Sequence, residues 1–270
     1  MPHPNYSEEI VKVRAYINGA ENIFDTLGIF PRTLTRYPFD LVALEIVSKS
    51  FALSKACMIL LDTGFPDEAF GLSRSLVECA INLRYLTQDT TKLNTRTDEF
   101  IQYLKADKSY WMHYALQNVS AGPKEQRIRE HGKLFGVDPD PKSARRHWSG
   151  QGGFVWEIMT DDHPLDGTTN NEQSRKATYA VDYHYTSSFV HCSQPALDNY
   201  YPDEREPFHI SGSSGNFRWS GQPTLFILLT NLHAVIAYAL FGMNYERPDR
   251  LNRLFSATLD SLRPYKPLHS

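Results

Sequence analysis

Residues 52–86 read ALSKACMILLDTGFPDEAFGLSRSLVECAINLRYL, and this stretch decides the fold. An apolar run reaches Thr63, where Gly64 suits the left-handed position that closes a helix. Pro66 then stands where a first-turn residue needs no N–H, and Asp67 and Glu68 place carboxylates at the positive end of a new helix dipole. The pattern predicts one helix over about 38–63 and a second over about 66–87, joined by a very short turn. Two long helices linked so tightly fold back on each other as an antiparallel hairpin.

Outward from the hairpin the chain stays helical in pattern. Ser7, Glu8 and Glu9 open a helix that runs to about Gly28, and IFPRTLTRYP links it to the hairpin. Further helices are expected over 98–118, 125–135, 172–194, 223–243 and 249–261. Residues 136–172 and 200–222 are rich in loop-forming residues and read as two long loops. Neither internal repeats nor strand-like alternation occur. The expectation is an all-α, irregular helical bundle in a single domain over 1–270, with 1–37 as N-terminal helix and linker and 38–270 as the bundle core.

At 270 residues the chain is long enough to bury a full core without metal or disulfide staples. A net charge of -3 creates no global field that gathers nucleic acid, so RNA contact would need a local patch. Cys57, Cys79 and Cys192 are few and odd in number, which suits reduced thiols. The start MPHPNYSEEI lacks a basic region followed by an apolar one, so the expected compartment is the cytoplasm. TLFILLTNLHAVIAYALFGM, 224–243, is long enough to cross a bilayer, but Thr230, Asn231 and His233 interrupt it. It reads as a core helix, and no membrane span is expected.

Three groups of residues carry candidate chemistry. Arg74, Glu78 and Asn82 fall at i, i+4, i+8 on the 66–87 helix and form one polar stripe between apolar residues. Buried ions need partners, so Arg74 and Glu78 either lock helix register as a pair or line a pocket. On the 172–194 helix His184, Ser188 and His191 share a face. The histidines are seven residues apart, about 10 Å along the axis, so the pair does not clip one metal ion. No metal site and no cofactor is expected. Each imidazole has a serine one turn away, which suits either nucleophilic chemistry or a local hydrogen bond.

The third group is SARRHWSGQGGF, in which Arg145, Arg146, His147 and Trp148 precede a Gly-rich turn. Cations beside backbone amides and a ring can hold a phosphate or a nucleobase. Residues 124–146 carry seven Lys or Arg against Glu125, Glu130, Asp138 and Asp140, the local basic patch through which RNA would be met. A solvated loop explains the same charges. Phosphate-binding glycine loops, nucleophile elbows and zinc-protease or kinase motifs are missing.

The hairpin text, with Arg74 and Glu78 on its second helix and Tyr185, Ser188 and His191 on a later one, resembles uncharacterised bacterial all-helical domains of unknown function. It resembles more loosely the HEPN-type helical bundles, many of them metal-independent ribonucleases of toxin or phage-defence systems with an Arg-x(4–6)-His motif. Here Arg127 and His131 have only three residues between them. Two functions follow as expectations. One is a ligand-binding or protein-interaction module with a polar pocket lined by Arg74, Glu78, Asn82, His184, Ser188 and His191, which takes a small polar or phosphate-containing ligand. The other is a ribonuclease effector with His191 as acid/base, Arg74 on the developing phosphate charge and Glu78 beside it. A homo-oligomer fits either.

Overall fold

A computed structural model describes residues 7–28, 38–115, 123–134 and 217–262, together with Gly136, His163, Leu165 and Thr186. Seven α-helices and no strand lie among these residues: α1 (Ser7–Thr26), α2 (Pro38–Asp62), α3 (Pro66–Thr87), α4 (Leu93–Ala115), α5 (Lys124–Leu134), α6 (Phe217–Gly242) and α7 (Asp249–Ser261). The all-α class is therefore established for the described chain.

The α2–α3 turn forms as its residue types require. Gly64 has φ +87, and Phe65 N–H donates to Leu60 O at 2.8 Å. This closes α2 with the bond pattern of a left-handed helix stop. Pro66 then starts α3 with no side-chain cap. Contacts along the two helices pair late residues of one with early residues of the other. Cys57 Sγ–H donates to Ala69 O at 3.4 Å, Ser50 hydrogen-bonds Cys79, and Phe39 and Thr87 meet at Gly242.

α6 lies against α3, α2 and α1. Leu225, Leu228, Leu229, Leu232, Val235, Ile236 and Leu240 are buried in one cluster with Leu76, Leu83 and Leu86 of α3 and Val42, Val47 and Leu61 of α2. Among the described residues one helix, Gly221–Gly242, is long and apolar enough to cross a membrane, and 78 % of its most apolar window is buried inside the protein. Most of its apolar surface, Phe226 excepted, therefore already has partners in α1, α2 and α3. α1 and α7 close one side, while α4 leans on α2 and α3 and pairs with α5.

Two helix starts differ from the expected ones. α4 begins at Leu93, not Asp98, continuing a 3-10 turn over Thr90–Lys92. Asp89 caps that turn, its Oδ1 accepting from Thr91 N–H at 3.1 Å. The capping residue Asp89 thus sits well ahead of the first strongly apolar turn, which begins at Phe100. α6 begins at Phe217, not Pro223, so the loop expected over 200–222 ends earlier. Proline in the second turn removes one backbone donor and need not mark the first residue. Of the helix expected over 172–194, Thr186 alone is described, and it is helical and fully buried.

Burial silences two thiols. It pushes Cys57 up to about 12 and raises Cys79 as well. Thiolate is the reactive form, so iodoacetamide at mildly alkaline pH should leave both unlabelled in the native protein and label both after denaturation. Peptide mapping checks this, and fast native labelling at either position would contradict the packing.

Candidate functional site

Between Ala69 and Thr87 every residue of α3 is buried or half-buried, because α2, α4 and α6 pack around it. The half-open positions are Leu72, Arg74, Ser75, Glu78, Ile81 and Asn82. All but Leu72 recur at i+3 and i+4 and so form one strip down the helix. The apolar residues beside the strip go where their spacing sends them. Phe70 and Val77 pack with Ile227 of α6, with Ile81 against them, and Leu76 and Leu83 enter the main core.

Within the strip Arg74 Nη2 meets Glu78 Oε1 at 3.2 Å. The Arg74 side chain is 20 % exposed and that of Glu78 44 %, so the pair sits at the rim of the core and not inside it. A pair this open avoids the several kcal/mol that full burial of ions costs, and its net contribution to stability is at most about 1 kcal/mol. Asn82, one turn further on, is half-buried and adds an amide with both donor and acceptor character.

The remaining expected site residues, His184, Ser188, His191, Arg145, Arg146, His147 and Trp148, lie outside the described residues. The expected pocket is therefore represented by its α3 side. Of the basic patch, Arg127 is half-buried, and Arg129 and Lys133 are exposed on α5. Among the described residues no group of three or more His, Cys, Asp or Glu is placed to hold a metal ion.

Two buried histidines were not singled out by their spacing. His163 is 5 % exposed and stands edge-on to Tyr238 and Phe241 of α6. Leu165 N–H donates to its Nδ1 at 3.1 Å, so in the neutral ring Nε2–H donates to Thr87 Oγ1 at 3.0 Å. Thr87 in turn donates to Leu83 O at 2.8 Å. The second, His233, hydrogen-bonds the Tyr16 hydroxyl through Nδ1 at 3.0 Å and stacks on Phe255 at 3.9 Å. Desolvation, aided by Arg247, brings His233 down to about 4, and burial drives the Tyr16 phenol upward. Both imidazoles are tied into satisfied networks, which is a structural role. Only the interruption of an apolar run by His233 hinted at one of them.

A model for a family of unknown function matches residues 40–207, more than half of the chain. The matched span holds α2 but for its first two residues, α3 to α5, and every expected site residue, from Arg74 to His191. It leaves out α1, α6 and α7, which carry Tyr16, His233 and Phe255. No curated protein and no solved structure matches the chain. On the extent of the family match, the chain belongs to the family of unknown function DUF5677.

Proposed function

We propose that this chain is a binding protein whose recognition face includes the polar strip of α3 (Arg74, Glu78 and Asn82), and that it takes a small polar or phosphate-containing ligand there. One observation carries the reading: between Ala69 and Thr87, where all of α3 outside the strip except Leu72 is buried, the half-open strip is the one bearing an ion pair and an amide. A half-open guanidinium offers directed N–H donors to an anionic or carbonyl oxygen. Holding it by Glu78 at 3.2 Å pre-positions it, which lowers the entropy cost of engaging a ligand.

Thermal-shift titrations with inorganic phosphate, AMP and a short RNA oligonucleotide test the proposal. At least one of the three is expected to raise Tm, by several degrees at saturation for a domain of this size. Arg74→Ala should abolish that shift, with loss of the ion pair itself lowering ligand-free stability by no more than about 1 kcal/mol. Absence of any shift, or a shift that survives Arg74→Ala, overturns the reading. The same RNA recovered intact supports binding. RNA cut by the wild type but spared by Arg74→Ala would replace it with the ribonuclease alternative, in which His191 acts as acid/base.

A further inference from the structure

One face of α2 is open to solvent along the length of the helix. Leu41, Glu45, Ser48, Ala52, Lys55 and Ile59 are all exposed, the two large apolar ones by 42 % (Leu41) and 62 % (Ile59). At 100° per residue the six fall within about 40° of one line down the helix. They are also symmetric about residue 50. Turned end over end, the face sets Leu41 at the height of Ile59, Glu45 at the height of Lys55, and Ser48 at the height of Ala52.

We infer that this face is a self-recognition surface through which two copies of the chain pair by their α2 helices, antiparallel and with two-fold symmetry. An isologous contact must be self-complementary, because each residue of the patch meets another residue of the same patch. Here an apolar side chain meets an apolar one at both ends, and small residues occupy the middle, where two helix axes approach closest. Acid and base then stand at matching heights on opposite copies. That charge register selects a second copy over an unrelated apolar partner.

Lys55 already contacts Glu21 of its own chain at 2.6 Å. An ammonium has three N–H donors, so it accommodates Glu45 of the partner copy as well. Six residues make a small patch beside the roughly 800 Å² per partner of a standard interface. The dimer is therefore a weak one, with a dissociation constant of about micromolar or above. The inference uses residues separate from the α3 strip, so it stands or falls independently of the proposed ligand.

Sedimentation velocity of the full chain, from low micromolar to several hundred micromolar, tests the pairing. The weight-average mass is expected to climb from monomer toward dimer. Glu45→Lys sets like charges against each other and should raise the dissociation constant roughly tenfold or more, as should Ile59→Asp. Glu45→Lys combined with Lys55→Glu restores opposite charges and should restore pairing, with circular dichroism confirming that each variant is folded. A wild type that stays monomeric throughout overturns the inference. So does a dimer that ignores Glu45→Lys and Ile59→Asp, or a double variant that stays monomeric.

Discussion

Acidification from pH 7 to pH 4 is expected to remove up to about 3 kcal/mol of folding stability through His233 alone. The group sits 8 % exposed between Tyr16 and Phe255, and desolvation lowers it from an ordinary value of 6.5 to about 4. A lowered folded-state value means that the unfolded chain binds the proton more readily. The His233 contribution is thus fully present above about pH 6.5 and is lost as the pH falls through the window toward 4. The Arg247 charge acts in the same direction, since it opposes imidazolium formation. Protonation would also make both ring nitrogens donors, so that the buried Tyr16 hydroxyl could only accept from Nδ1–H. Urea titrations at closely spaced pH values measure the slope, and His233→Gln should flatten it. A stability that does not change across that window would contradict the burial of this imidazole.

Gly242→Ala should cost about 1–3 kcal/mol, although alanine is the better helix former. A methyl group at this position would run into the Phe39 ring of α2 and come within 2.8 Å of the Thr87 methyl of α3. Gly242 therefore marks the place where the end of α6 touches both of the other core helices. Phe39 is 1 % exposed and Thr87 fully buried, so neither side chain has open space to move into. Thr87 also receives the His163 hydrogen bond, so displacing it disturbs a second contact. Gly19→Ala is the internal control: its new methyl meets the flexible end of Leu254, which can turn away. Chemical denaturation of the two variants should rank Gly242→Ala well below Gly19→Ala. Equal stabilities would mean that α6 stands further from α2 and α3.

Much of the architecture is legible before any coordinates. Gly64 and Pro66 each leave a backbone signature that only a few residue types satisfy, and α2 ends and α3 starts within a residue of where those signals place them. α6 is legible as a buried helix because its apolar run is interrupted by Thr230, Asn231 and His233, which a lipid-facing span would avoid. What escapes is long-range or polar. The Tyr16–His233 bond joins residues 217 positions apart, and no local spacing announces it. The early start of α4 rests on the Asp89 cap, a signal weaker than the apolar turn behind it. At the candidate site the Arg74–Glu78 pair follows from i, i+4 spacing, whereas its place at the rim depends on how closely α2, α4 and α6 surround α3.

The polar strip of α3 is proposed as a recognition face. The most direct measurement of it is a nuclear magnetic resonance titration that follows the Arg74 Nε–H and the Asn82 side-chain amide as inorganic phosphate, and then AMP, is added. Saturable shifts are expected at both groups with one shared dissociation constant for whichever probe binds, while the buried Tyr16–His233–Phe255 cluster stays still. Shifts confined to other parts of the chain, with Arg74 and Asn82 unmoved, would contradict it.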